Sequence, residues 1–206
     1  MPQPSDLAAR LRAATWSAHQ QAAGDGFLAG LMRGTRGVDD YARLASQHLV
    51  VYRALEAAVA ACDGGLVARL HDPLLERTAA IEADLEALGS AHDALPGALA
   101  YAEHLRGLAG DPVRLAAHHY TRYLGDLSGG QHIGRALAQR FGAETTGFYR
   151  FELDAKACKE AYRAALDEAG LSPAEEAALL EETTHAYARA QALHAELAEA
   201  LPAVAA

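Results

Sequence analysis

Two lysines, two cysteines and one tryptophan stand in a chain of 206 residues, and each scarcity narrows what the protein can be. Cys62 and Cys158 lie far apart with no CxxC spacing, so they read as reduced thiols of a cytosolic protein, with a single bridge between them left open. Net charge is −9 and no basic stretch could neutralise a row of phosphates, so no nucleic-acid partner is expected. No run approaches the roughly 20 apolar residues that span a bilayer. The opening MPQPSDLAARLRAATW has no apolar secretory core and carries Asp6, and the closing LPAVAA is too short for an anchor. A soluble, cytoplasmic protein without membrane contact is therefore expected. G-x-S-x-G, the P-loop and the dinucleotide fingerprint are all missing, so any cofactor chemistry is neither nicotinamide nor phosphate based.

What is present is helix-forming. Alanine, leucine, arginine and glutamate dominate, while valine, isoleucine and threonine never gather into alternating runs, which predicts an all-α chain. The length suits one domain, spanning 1–206, with a substantial core. Ser5 or Asp6 can cap a first helix running to about Ala22, a short helix covers Phe27 to Met32, and a long one runs from Val38 to Cys62. Further helices are expected over Leu74 to Leu88, Gly97 to Leu108, Ala155 to Ala169 and Pro173 to Ala200. The last has Ser172 as cap and proline at its first position. Gly142 to Leu153 is the one irregular, aromatic-bearing stretch.

The sequence YTRYLGDLSGG, Tyr120 to Gly130, puts three glycines where the flanks Ala116–Leu124 and Ile133–Phe141 both favour helix. Each glycine costs about 1 kcal/mol against alanine in a helix interior. Gly125 and Gly129 are four apart, so they bare one face of backbone, and Gly129-Gly130 could also let the helix bend or end. Asp126 is the only carboxylate in this block. His19 and Arg12 are seven apart in the first helix, nearly the same face and roughly 10 Å along it. That spacing lets a histidine reach a metal at the centre of a porphyrin while an arginine approaches a carboxylate at its rim; an exposed helix histidine is the plain alternative. Lys159 and Arg163 pair at i, i+4 beside Lys156, so both lysines of the chain fall here, suiting a dianionic ligand edge or a solvated face. Glu182-Thr-Thr-His185 is an E-x-x-H spacing, but a di-iron bundle needs a second copy and two more glutamates, and no second copy exists. His48, His71, His118, His119 and His132 show no metal-ligand spacing along the chain and read as surface or satisfied core positions.

Three blocks resemble the heme oxygenase family over nearly the full length. DLAARLRAATWSAHQQA resembles its opening helix, AHHYTRYLGDLSGGQ its distal helix, and KACKEAYRAAL its propionate-binding helix. The resemblance implies an all-α bundle with heme sandwiched between a proximal and a distal helix, and His19 as axial ligand to the heme iron. It also implies that Gly125, Gly129 and Gly130 lie over the heme, with Asp126 ordering water beside bound oxygen. Lys159, Arg163, Tyr120 and Arg12 would bind the heme edge, and Tyr52, Tyr101 and Arg122 would belong to the distal hydrogen-bond network. Two positions depart from the family pattern: His132 replaces an aliphatic residue and Trp16 stands where a basic one is frequent.

The activity implied is O2-dependent opening of heme b, both substrate and cofactor, to biliverdin, carbon monoxide and ferrous iron by a soluble bacterial enzyme. A neutral histidine ligand pushes less electron density onto iron than thiolate does, which disfavours O–O cleavage and favours attack on the ring. Electrons would come from NADPH through a reductase, or from a ferredoxin. The rival is a heme carrier, store or sensor of the same fold, which would have no evident need of Asp126 beside a glycine strip.

Overall fold

The computed structural model describes residues 6–23 and 26–200, the first stretch with its side chains only as far as Ser17. Ten α-helices follow in chain order: α1 Leu7–Ala23, α2 Gly26–Arg33, α3 Val38–Ala60, α4 Gly65–Leu70, α5 Thr78–Leu88, α6 Pro96–Gly107, α7 Pro112–His119, α8 Gln131–Phe141, α9 Ala155–Asp167 and α10 Pro173–Ala200. No strand occurs among the described residues. The expected cap on Ser5 lies outside them.

Local chemistry sets most helix starts. Asp40 reaches back to the Gly37 amide at 2.9 Å, and Asp39 and Asp40 both sit in the first turn of α3, where the helix dipole favours anions. Asp111 caps α7 by accepting from Arg114 N at 3.0 Å, with Pro112 at the first position. Asp154 accepts from two amides at the start of α9. Ser172 and Glu175 form a reciprocal box ahead of Pro173, as the sequence predicts for α10.

Two regions differ from expectation. The segment before α5 is not helical from Leu74: Pro73–Leu75 makes a 3-10 turn and the helix waits until Thr78. The cause is tertiary, because Glu56 of α3 accepts from the amides of Arg77 and Thr78, at 2.6 and 3.1 Å, and caps the new start from outside. The short α4 is also absent from the sequence reading. Two glycines open it, Gly64 and Gly65, both with positive φ, which masks it as a loop.

α3 is the spine, packing on α6 and α5, while α10 packs along α7 and α1. Tyr41, Leu44, Val51, Tyr52 and Leu55 bury one face of α3 in the core. The irregular stretch after α8 folds as 3-10 turns at Ala143–Thr145 and Gly147–Tyr149. Asp84 of α5 pins the second by accepting from Gly147 N and Phe148 N at 2.6 and 2.8 Å, which fixes Phe148 and Tyr149 against the core.

Candidate active site

From Pro112 to Phe141 the chain runs without a break, so Gly129-Gly130 does not end a helix. The middle is wound more loosely, as π-helix over Tyr120–Leu124 and again over Asp126–Gly130. Such widened turns displace the backbone sideways and concentrate at functional positions. The glycines themselves keep ordinary right-handed dihedrals, −60°/−50° at Gly125 and −55°/−38° at Gly130. What matters about Gly125 and Gly129 is therefore the missing side chain, because a Cβ built on either would meet nothing within 4 Å. Gly130 differs: its Cβ would touch Asp126 and Tyr149 at 3.5 Å, so it is packed rather than open.

The open strip faces two cavities that share Gly125 and Tyr187. One, about 270 Å³, is lined by Arg12, Trp16, Tyr120, Ser128 and Arg163, and is the cationic end. The other, about 310 Å³, runs over Gly129 past Arg122, Asp126, His48 and His132 to Phe148 and Tyr149. An elongated slot results, basic at one end and hydrogen-bonding at the other, with bare backbone as its floor.

Asp126 is the centre of the polar end. The Tyr52 hydroxyl donates to its Oδ2, and Arg122 Nε donates to the Tyr52 oxygen at 3.2 Å, with the guanidinium 4.9 Å from the Tyr52 ring centroid. Burial pushes the Asp126 carboxyl up to about 6, with Arg122, Tyr52 and Arg77 pulling the other way. Burial alone would lower Arg122, but Tyr52 and Asp126 outweigh it and keep it firmly charged. Tyr52 is held protonated by burial. His48 is neutral for the same reason, and its buried Nε2 has no protein partner while its ring lines the same cavity. A polar atom of that kind beside a roomy cavity suits ordered water.

Of the sequence-predicted residues, Asp126, Arg122, Gly125, Gly129 and Gly130 meet around one cavity, and Arg12, Tyr120 and Arg163 around the adjoining one. Lys159 donates to the Leu127 carbonyl at 3.3 Å, which fastens α9 to the glycine-bearing segment. Tyr101 stands one step back: it is buried and bonded to His118 Nδ1 at 3.0 Å. His19 falls within α1, and its side chain is outside the described residues. Trp16 is 46% exposed at the mouth, with the Arg12 guanidinium 5.7 Å from its ring centroid.

Sequence reading missed Tyr187, Ala190 and His194, which line the slot from α10. Their spacing of three and seven is one helix face, but polar and aromatic residues at core spacing carry no motif. Gly134 was missed too. Its Cβ would lie 2.3 Å from Tyr149 Cβ, so α8 and the aromatic turn touch only because position 134 is glycine.

A family model for heme oxygenases matches residues 5–196. Heme oxygenase 1 of the cyanobacterium Nostoc sp. is 32% identical, covering 94% of this chain and 86% of that protein. The structure of heme oxygenase-1 from Synechocystis sp. in complex with heme superposes with TM-score 0.87 at 30% identity, covering 95% of this chain and 93% of the other. Heme oxygenase from Leptospira interrogans gives 0.86 at 29% identity, with 93% and 99% covered. An all-α chain with this slot and these relatives belongs to the heme oxygenase family.

Proposed function

We propose that the chain seats heme flat on the bare strip of residues 125–129 and opens it with the help of Asp126. Membership of the family makes it a heme-degrading enzyme that yields biliverdin. The observation that carries the residue assignment is the pair of glycines whose Cβ positions are empty, beside a fixed carboxylate and between a cationic and a polar cavity. A flat, apolar dianion fits that donor set.

When bound, heme supplies the iron at which O2 is activated and is itself the ring that is opened, with carbon monoxide and ferrous iron as the further products. Arg12, Arg163 and Tyr120 hold the carboxylates at the cationic end and fix rotation in the plane, and Lys159 ties the same end to α9. His19 would hold the heme iron. Gly125 and Gly129 let the helix approach closely enough to restrict which meso carbon is exposed to attack. Asp126 holds water through its carboxylate, while Tyr52 and Arg122 keep that carboxylate from rotating. A carboxyl that titrates near 6 can give and take a proton at cellular pH. Tyr101 is buried against His118 and does not line the slot, so it is a positioning residue.

With no flavin or nicotinamide fingerprint in the chain, electrons come from outside, from NADPH through a reductase or from a ferredoxin. No helix among the described residues is long and apolar enough to cross a membrane, and a cytoplasmic location is proposed.

An absorption time course of the purified protein with one equivalent of hemin, under air with reductant and catalase, tests the reading. Loss of the Soret band with growth of biliverdin absorption is expected, and Asp126→Asn should bind hemin without releasing biliverdin. A bound but unconsumed Soret band in wild type, with a competent reductase, would instead make the protein a heme carrier.

A further inference from the structure

Away from the residues that line the heme slot, three ligand atoms converge from three helices. His104 Nε2 of α6 lies 2.6 Å from Glu182 Oε1 of α10, and His118 Nε2 of α7 lies 2.8 Å from the same oxygen. All three atoms lie within 4.8 Å of one another. Glu182 and His118 are buried, while the His104 side chain is 24% exposed and forms the outward edge.

We propose that His104, His118 and Glu182 form a mononuclear binding site for a divalent transition metal of the zinc type, separate from the heme slot. Two imidazoles and one carboxylate are a ligand set zinc takes, with bonds of about 2.0–2.2 Å and a fourth position left for water or another ligand. An ion would replace the two hydrogen bonds: ligand atoms around zinc stand roughly 3.3 Å apart, so Glu182 Oε1 and each Nε2 would move apart by about 0.5–0.7 Å. His185, one turn along α10, has Nδ1 3.7 Å from the second carboxylate oxygen and is 53% exposed, so it can swing to the fourth position. The E-x-x-H pair of the sequence is thus half of a one-metal site whose other half comes from α6 and α7 rather than from a second motif.

The supporting groups have the required chemistry. Glu182 is buried and its Oε1 accepts from both rings, so the carboxylate is already aimed at the point where the three helices meet. Metal-ligating histidines usually hold their other ring nitrogen in a hydrogen bond, and His118 Nδ1 has Tyr101 at 3.0 Å. In the metal-free site both rings donate Nε2–H to Glu182 and the Tyr101 hydroxyl donates to His118 Nδ1. An ion takes the Nε2 lone pairs, each ring proton moves to Nδ1, and the Tyr101–His118 bond reverses direction. Two cations lie nearby: Arg114, whose Nε is 3.9 Å from Glu182 Oε2 but whose guanidinium is already held by Asp111 at 2.7 Å, and Arg189, which acts electrostatically on His118.

Cobalt(II) is the probe, titrated into hemin-free full-length protein and followed by its visible ligand-field bands. Wild type should bind one equivalent with the intensity of a four- or five-coordinate N/O site, and zinc should displace it. His104→Asn and Glu182→Gln should each weaken that binding at least tenfold while keeping the helical circular dichroism. Wild type showing only six-coordinate aquo-like bands, or either folded variant binding as tightly as wild type, overturns the site.

Discussion

A pair of glycines and a single one on the same continuous helix do opposite jobs. At Gly125 and Gly129 an added methyl group would enter open space, whereas at Gly134, further along, it would collide with Tyr149 at 2.3 Å. The first pair answers no packing requirement, and its cost in helix propensity is accounted for by something that lies against the backbone. The second is a packing requirement, set by Asp84 holding the turn that presents Tyr149. Glycine in a helix is therefore not by itself a mark of function; what a side chain would meet there decides it.

That contrast can be broken by substitution, and the largest effect falls at Gly134. Gly134→Ala should destabilise the ligand-free protein by about 3 kcal/mol, the upper end for overpacking where no flexible side-chain tip can yield. Urea unfolding measures it, and a wild-type midpoint would mean that the aromatic turn simply moves away.

Asp126→Asn should act the other way. The carboxyl is raised from 3.8 to about 6 in the fold, so its ionisation opposes folding. At pH 8 the substitution should stabilise the ligand-free protein by about 2 kcal/mol, from about 1.4 kcal/mol per pKa unit reduced for partial exposure. The gain shrinks as pH falls through 6 and vanishes below about 4, where wild type is protonated in both states. Thermal unfolding across that range gives the answer, and a gain independent of pH would mean that Asp126 is not the group that titrates.

The smallest change is expected at the strip itself. Gly125→Ala and Gly129→Ala should leave ligand-free stability unchanged or raise it by up to about 1 kcal/mol each.

Much of this was legible in the chain. Ser172-Pro173 is a local signal, and the structure starts α10 there; Lys159 and Arg163 do share α9, but Arg163 lines the cationic cavity while Lys159 donates to the Leu127 carbonyl. Gly125, Gly129 and Asp126 stood out because glycines in a helical context need a reason. What was not legible depends on groups distant in sequence. The late start of α5 is set by Glu56, 21 residues earlier. The clash at Gly134 is set by an aromatic turn beyond the end of its own helix. His104 and His118 meet Glu182 across 78 and 64 residues, so no spacing along the chain could reveal them. Tyr187 lines the slot from a helix whose sequence looks like ordinary core.

The most direct measurement is the hemin-induced rise in melting temperature, compared between wild type and the Gly125→Ala/Gly129→Ala double variant. The bare-strip account predicts that the double variant melts no lower than wild type without hemin yet gains clearly less when hemin is added. A double variant that loses ligand-free stability but keeps the full hemin-induced rise would contradict it, and would move those glycines into the same structural role as Gly134.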